Sequence, residues 1–174
     1  MNIGPYTIDE GRDQPVAFIM MGAPGSGKSS WIRGNTPGFA KWIDADEINF
    51  REFGASPEKY LGTLASASKV AFTRYYKYLK MGKSPILDGT GAHVGKMKEV
   101  FDAGKAAGYK MYLVYVDVPV DTAIERNQER ADAGGRKVHP KAIRSVWEKI
   151  QASFKEAKRL DWDKVYHVKQ KKLK

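Results

Sequence analysis

The chain has 174 residues and a formal net charge of +10, and 42% of its residues are hydrophobic. This length is typical of one domain with a substantial core, and no apolar run approaches the ~18 residues of a membrane span. The sequence contains no Cys, which excludes disulfides, a thiolate nucleophile and Cys-ligated zinc. Its first residues do not resemble a signal peptide, so we expect a cytoplasmic protein, and its positive charge favours anionic partners such as phosphates or nucleic acid.

The first predicted elements are an N-terminal arm and a buried strand. Residues 1–15 are polar and interrupted by Gly and Pro, which indicates an arm outside the core. Residues 16–21 form a continuous apolar run, as expected of a strand that is buried on both faces. The residues that follow this strand fit the pattern G-x-x-x-x-G-K-[ST]. The sequence therefore predicts a phosphate-binding loop directly after a central strand.

This loop has the chemistry that a nucleotide phosphate requires. Glycines allow successive backbone N–H groups to point inward as an anion nest, and the following helix adds the positive end of its dipole. The Lys28 ammonium can reach the β- and γ-phosphates, and the Ser29 hydroxyl can bind Mg²⁺. We therefore predict ATP and Mg²⁺ as cofactors, with the nucleotide held by Gly22, Ala23, Pro24, Gly25, Ser26, Gly27, Lys28, Ser29 and Ser30.

Strands and helices are predicted to alternate along the rest of the chain. Further strands are expected at 40–44, 85–88, 110–118 and 165–168, and helices from the loop to about 33, from Ser56 to Gly82, over 94–107, over 120–132 and from Pro140 onward. Such alternation predicts a single-domain α/β fold of the P-loop type, with a five-stranded, mostly parallel sheet and helices on both faces. The domain is expected to span 16–168, followed by a basic tail over 169–174 that carries Lys169, Lys171, Lys172 and Lys174.

Polar side chains follow several strands of this sheet, where ligands of open α/β sheets bind. We predict that Asp46 is the base that accepts the proton of the attacking hydroxyl, with Asp44 and Glu47 as competing candidates. Asp44 is equally suited to contact substrate or to cap the turn or helix that follows it. Asp88 is predicted to hold Mg²⁺ or to cap a turn, and Thr90 either orients a substrate or is an ordinary turn residue.

The helix over 120–132 is predicted to carry an arginine lid. Arg126 and Arg130 are four positions apart and share a face, and Arg136 follows in a Gly-rich turn. These cations could stabilise the charge that develops during phosphoryl transfer. The alternative is a solvated helix whose arginines pair with Glu125 and Glu129. Near the acceptor, a base could stack on one of several aromatic residues, namely Trp42, Phe50, Phe53 and Tyr60.

These motifs resemble those of two groups of P-loop kinases. The phage-type polynucleotide 5′-kinase domain is similar in its front part and in its lid, at Gly25–Trp31, 37–39, Ile43–Asp46, 117–119, Arg126-Asn127 with Arg130, and 143–145. The zeta-toxin kinases, which phosphorylate UDP-N-acetylglucosamine, are similar at 88–91, 107–109 and 135–138. The resemblance to polynucleotide kinases implies that Asp46 activates the acceptor hydroxyl. Asn49 departs from that pattern, because those kinases place a substrate-binding Arg there, and Arg51 lies nearby but out of register.

The sequence therefore predicts an ATP-dependent kinase that phosphorylates a hydroxyl on nucleic acid. The acceptor would be a 5′ end or a hydroxymethylated base of DNA, since phage kinases of hydroxymethylpyrimidines belong to the same broad group, and a phage enzyme would act in the host cytoplasm. Two alternatives stay open. One is a zeta-toxin-like kinase of UDP-N-acetylglucosamine, and the other is a nucleotide-binding switch without transfer activity.

Overall fold

The structure, a computed structural model, describes residues 14–170. The predicted arm therefore lies outside the described residues except for its last two positions, and so do Lys171, Lys172 and Lys174 of the predicted tail. In chain order the elements are β1 (Val16–Met21), α1 (Lys28–Asn35), β2 (Lys41–Asp44), α2 (Ala45–Glu52), α3 (Tyr60–Lys80), β3 (Pro85–Asp88), α4 (Val94–Ala106), β4 (Lys110–Asp117), α5 (Val120–Asp132), α6 (Pro140–Ala157) and β5 (Lys164–Lys169).

The strands form one sheet in the order β2-β3-β1-β4-β5. All pairings between neighbouring strands of the described residues are parallel, so the predicted α/β fold with a parallel sheet is confirmed. β1 lies at the centre, and its residues are buried throughout. Alternate side chains of β1 enter two cores, because successive residues of a strand point to opposite faces. Ala17, Ile19 and Met21 pack in one core, and Val16, Phe18 and Met20 pack in the other.

Two local predictions differ from the structure in the segment after β2. The short helix α2 begins directly after β2, where the sequence predicts a polar strand end, and Asp44 caps it by accepting a hydrogen bond from the Glu47 N–H at 3.0 Å. The capping role considered for Asp44 is therefore confirmed. The next helix does not begin at Ser56 as predicted, because Ser56 to Lys59 form a turn in which the Lys59 N–H donates to the Ser56 carbonyl, and α3 begins at Tyr60.

The parallel strands place several loops at one edge of the sheet. Asp44 and Asp88 are partners in the register of β2 and β3, and Asp88 also pairs with Met20 near the end of β1. The phosphate-binding loop starts from that end of β1, so loop and carboxylates lie together. Lys169 is the last residue of β5 rather than the first of a tail. Within residues 14–170, no helix combines the length and apolar character that a membrane crossing requires.

Candidate active site

The loop after β1 has the backbone of an anion-binding nest. Gly25 and Gly27 have φ values of +84° and +99°, which side-chain-bearing residues rarely adopt. A Cβ on Gly25 would also overlap with the carbonyl oxygen of Ala123 in α5, so this loop and α5 are in close contact. Lys28 donates to the Gly22 and Ala23 carbonyls at 2.8 and 3.3 Å. An anionic phosphate oxygen is a stronger partner for an ammonium group than a neutral carbonyl, so Lys28 is available to a phosphate.

A cleft of about 430 Å³ lies over this loop, and we call it the nucleotide cleft. Its walls combine the residues from Pro24 to Ser30 with carboxylates and arginines from four other parts of the chain. Gly22 and Ala23 do not line it and act through the carbonyls that hold Lys28. The lining from outside the loop consists of Arg33, Asp44, Asp46, Asp88, Arg126, Arg130, Arg136 and Gln170.

Asp88 is a buried carboxylate at the floor of the nucleotide cleft, and one oxygen accepts a hydrogen bond from Trp42 Nε1 at 2.9 Å. Burial raises the pKa of Asp88 to about 7, and the nearby Asp44 and Asp46 act in the same direction, whereas Lys28 and the Trp42 hydrogen bond oppose the rise. A positive ion at this position would relieve the cost of the buried charge. No group of three or more His, Cys, Asp or Glu within residues 14–170 is arranged to hold a metal by itself.

The two aspartates after β2 have different partners. Asp44, besides capping α2, faces Arg136, whose Nη1 lies 3.4 Å from Asp44 Oδ2. Asp46 lies on the first turn of α2, and its Oδ1 accepts a hydrogen bond of 2.7 Å from the Tyr60 hydroxyl. Both carboxylates line the nucleotide cleft. Glu47, the third candidate base, instead pairs with exposed Arg51 at 2.8 Å and does not line this cleft.

The three predicted lid arginines meet at the nucleotide cleft. Arg126 donates to the Ser26 carbonyl at 3.2 Å and to the Gln170 Oε1 at 2.6 Å, so it ties the phosphate-binding loop to the end of β5. Arg130 donates to the Arg136 carbonyl at 3.0 Å. Burial and the neighbouring Arg136 lower the pKa of Arg130, while Asp46 and Asp44 favour its charged form. This arrangement differs from the alternative prediction, a solvated helix whose arginines pair with Glu125 and Glu129.

A second cleft of about 600 Å³ opens beside β2, the edge strand of the sheet, and we call it the edge-strand cleft. It shares Ser29, Arg33, Asp44 and Arg136 with the nucleotide cleft, so the two clefts adjoin. Its remaining lining is aromatic and charged: Trp42, Glu47, Arg51, Glu52, Arg74 and Tyr78, with Ile43 and Ile48. Trp42 is 37% exposed, and the Arg33 guanidinium lies 5.4 Å from the centre of its ring.

Some predicted site residues lie elsewhere. Thr90, although described in the structure, lies outside both clefts, where its hydroxyl accepts a hydrogen bond from the Ala92 N–H and its carbonyl accepts from the Gly22 N–H. Tyr60 is fully buried and so is not a stacking platform. Sequence reasoning also missed Gln170 and Arg74, because a Gln after a last strand and an Arg in a long helix carry no motif.

Several solved structures contain a chain with the same fold as this protein. A chain of the Pnkp1/Rnl/Hen1 RNA repair complex is 21% identical with a TM-score of 0.65, over 85% of this chain and 48% of that chain. A chain of the PezAT chromosomal toxin–antitoxin system of Streptococcus pneumoniae is 17% identical with a TM-score of 0.62, over 94% of this chain and 72% of that chain. A kinase candidate from Chloroflexus aurantiacus is 15% identical with a TM-score of 0.60, over 92% of this chain and 90% of that chain. The chain thus spans about half the length of the RNA repair chain. At these low identities the three matches show a shared fold.

The resemblance predicted from the sequence, to polynucleotide kinases and zeta-toxin kinases, is confirmed by these neighbours. No curated protein sequence matches the chain at a significant level. Residues 18–157 match the AAA_33 family, which is described as an AAA domain, and this match covers most of the 174 residues. The chain therefore belongs to the AAA_33 family, whose P-loop domain accounts for its fold.

Proposed function

We propose that this protein is an ATP-dependent kinase that transfers the γ-phosphate to a hydroxyl carried on nucleic acid, either a 5′ end or a hydroxymethylated base of DNA. The observation that carries the proposal is the junction of two clefts. One contains a phosphate-binding loop, and the other is lined by aromatic side chains, four arginines and three carboxylates. Asp44 and Arg136 belong to both clefts, so a donor phosphate and an acceptor can meet there.

The donor half follows from the nucleotide cleft. The loop N–H groups and Lys28 would hold the triphosphate, and the Ser29 hydroxyl with the Asp88 carboxylate would hold Mg²⁺. A hydroxyl and a buried carboxylate fit this ion, because Mg²⁺ prefers oxygen ligands and takes most of its shell from water and phosphates. When bound, Mg²⁺ supplies charge neutralisation at the β- and γ-phosphate oxygens.

The transfer step would use Asp46 and the three lid arginines, all of which line the nucleotide cleft. Asp46 would accept the proton of the acceptor hydroxyl as the new oxygen–phosphorus bond forms and the bond to the β-phosphate oxygen breaks, which leaves ADP. Arg126, Arg130 and Arg136 would stabilise the charge on the transferring group. Their placement around the nucleotide cleft supports this role.

The edge-strand cleft supports a nucleic acid acceptor. Trp42 presents a partly exposed ring on which a base could stack, and stacking of this kind is worth about 1–3 kcal/mol per base. Arg33 lies over that ring, and no carboxylate within residues 14–170 pairs with it, so its charge is available to a backbone phosphate. One structural neighbour belongs to an RNA repair complex, which agrees with this class of acceptor.

A kinase of UDP-N-acetylglucosamine is the second candidate, and the charges of the edge-strand cleft favour it. Arg51 and Arg74 are paired there with Glu47 and Glu52 at 2.8 and 2.6 Å. These glutamates would repel a long polyanion more than a small molecule with two phosphates. A nucleotide-binding switch is the third candidate, and it would bind ATP without forming a phosphorylated product.

One experiment separates these candidates. The protein is incubated with γ-labelled ATP and Mg²⁺ and with a panel of 5′-hydroxyl oligonucleotides, hydroxymethylated DNA, nucleosides and UDP-N-acetylglucosamine. Lys28→Ala is the inactive control, because it removes the cation from the transferring phosphate. Label on an oligonucleotide supports the proposal, and label on the sugar nucleotide alone moves the second candidate to first place. Bound ATP with no labelled product would leave only the switch.

A further inference from the structure

Asp46 is held by a buried tyrosine from the next helix. Tyr60, the first residue of α3, has no exposed surface, and its hydroxyl donates to Asp46 Oδ1 at 2.7 Å. Burial raises the pKa of Tyr60 well above its usual value, with Asp46 acting in the same direction. The hydroxyl is therefore a neutral donor at any pH at which the protein would work. Within residues 14–170, no group other than the Tyr60 hydroxyl donates a hydrogen bond to the Asp46 carboxylate.

Asn49 fixes the tyrosine in turn. It lies three positions after Asp46 on α2, is fully buried, and donates from Nδ2 to the Tyr60 carbonyl at 3.2 Å. The ring of Phe50, also on α2, packs against the Tyr60 ring with centres 6.1 Å apart. One helix thus carries the carboxylate and two residues that hold its partner. Asn49, at the position where the sequence pattern departs from the polynucleotide kinases, points into the core instead of toward a substrate.

A carboxylate base needs a defined orientation. An unrestrained Asp side chain samples several rotamers, and the proton of an acceptor must meet an oxygen within hydrogen-bond reach. A bond from Tyr60 to Oδ1 restricts this rotation, while Asp46 still lines the nucleotide cleft. The charged groups around it are Arg130 and Arg136 of the lid, and the carboxylates of Asp44 and Asp88.

We infer that Tyr60 is a positioning residue that orients Asp46 to accept the proton of the acceptor hydroxyl, and that Asn49 anchors Tyr60 for this role. The inference rests on the proposed function. It adds a part of the catalytic machinery that does not touch substrate: a buried contact between α2 and α3 that acts through the carboxylate. Removing the Tyr60 hydroxyl should therefore impair the transfer step and leave the binding of ATP and acceptor unchanged.

The test compares Tyr60→Phe with Tyr75→Phe. Tyr75 is a matched control, because it is also fully buried on α3 and its hydroxyl donates to a backbone carbonyl, that of Val100, at 2.7 Å. We expect Tyr60→Phe to lower kcat by about 10- to 100-fold, the range for loss of a hydrogen bond to a charged group. The KM values for ATP and acceptor should not change. Tyr75→Phe should destabilise the protein and leave kcat as in the wild type.

A double-mutant cycle tests whether Tyr60 acts through Asp46. In the Asp46→Asn background no base is left to orient, so Tyr60→Phe should not reduce kcat further. Equal kcat for the two Phe variants, or a full additional loss in the Asp46→Asn background, would overturn the positioning role while the kinase itself stands. A wild-type protein that labels no acceptor would instead overturn the proposed function. If Tyr60→Phe does not fold, Asn49→Leu tests the same contact and should also lower kcat without changing KM.

Discussion

At the scale of single residues, Asp44 and Asp46 show how two similar carboxylates acquire different roles. Asp44 is engaged by the Glu47 N–H and by Arg136, and both contacts favour a structural or substrate-binding role. Asp46 is oriented by Tyr60 and faces the nucleotide cleft. The sequence alone leaves the choice between them open, whereas their partners favour Asp46 as the base.

We therefore expect Asp46→Asn to lower kcat by ~10²–10⁴-fold, the range for loss of a general base, and to leave ATP affinity unchanged. The amide keeps the shape of the side chain and removes the proton acceptor. Asp44→Asn should cost less, because Asn is also a good N-cap and only the contact with Arg136 is weakened. Steady-state kinetics and ATP-analogue binding of both variants measure this. A larger loss of kcat in Asp44→Asn would assign the base to Asp44.

The buried Asp88 carboxyl makes stability depend on pH. Its pKa is about 7 in the folded protein against an ordinary 3.8, so over this range the folded state keeps a proton that the unfolded chain releases. The stability contributed by this proton is complete below about pH 4, declines as the pH rises, and is lost above about pH 7.

We expect Asp88→Asn to match the wild type in unfolding free energy near pH 4 and to exceed it by about 2–4 kcal/mol at pH 8, because the amide is neutral throughout. Urea unfolding across a pH series, in buffer with a chelator, measures the difference. The same variant should lose transfer activity, since it lacks the proposed metal ligand. If the curves for both proteins run parallel from acid to alkaline pH, Asp88 does not titrate in this range.

At the scale of elements, α5 and the loop after it form a clamp on the nucleotide cleft. Asn127 is buried and holds Val138 from both sides, through its amide N–H to the Val138 carbonyl and its oxygen to the Val138 N–H. A Cβ on Gly135 would lie 2.7 Å from Arg130 Cγ and 2.9 Å from the Arg130 carbonyl oxygen, so any other residue there would displace Arg130. The loop is thereby folded back so that Arg136 reaches the cleft beside Arg130.

We expect Arg130→Ala to lower kcat by ~10²-fold or more, as for loss of a donor that stabilises the transition state, with a smaller effect on ATP binding. Arg126→Ala and Arg136→Ala should behave similarly. Arg159→Ala is the matched control, because Arg159 is 72% exposed and pairs only with Glu156 in the described part of the chain. The comparison of kcat with KM tests the lid function. A change in KM for ATP alone would mean that the arginines bind the ground state and the transition state equally, and would contradict a lid function.

At the scale of the whole molecule, the net charge of +10 exceeds what a small acceptor needs. Binding of a polyanion releases counterions, so the affinity for a single strand falls with salt by a slope of about −0.7 per phosphate contacted. We expect oligonucleotide binding, measured by anisotropy with an ATP analogue bound, to give a slope near −3 for ~4 contacted phosphates. Binding of the ATP analogue alone across the same salt series is the control.

No oligonucleotide binding at low salt, or a slope near zero, would remove nucleic acid as the acceptor and favour the sugar nucleotide. Trp42→Leu adds a second criterion. It should weaken oligonucleotide binding by about 10-fold, because a stacked base contributes about 1–3 kcal/mol. The salt slope should not change, since no cation is removed.

The sequence alone determined the centre of this protein. The strand Val16–Met21 and the loop from Gly22 to Ser29 were predicted at their observed positions, as were the α/β class and the strand ends that carry Asp44 and Asp88. These features are local. A continuous apolar run and a glycine spacing restrict the backbone whatever lies around them.

Tertiary structure decided which of these residues cooperate. The hydrogen bond between Tyr60 and Asp46 joins residues that are 14 positions apart in the sequence, and the one between Arg126 and Gln170 joins residues that are 44 positions apart. The helix α2 also depends on tertiary structure, because its eight residues are held mainly by packing against α3. Contacts between distant residues leave no periodicity or spacing in the sequence, because they arise from the way in which strands and helices are brought together by burial of the core.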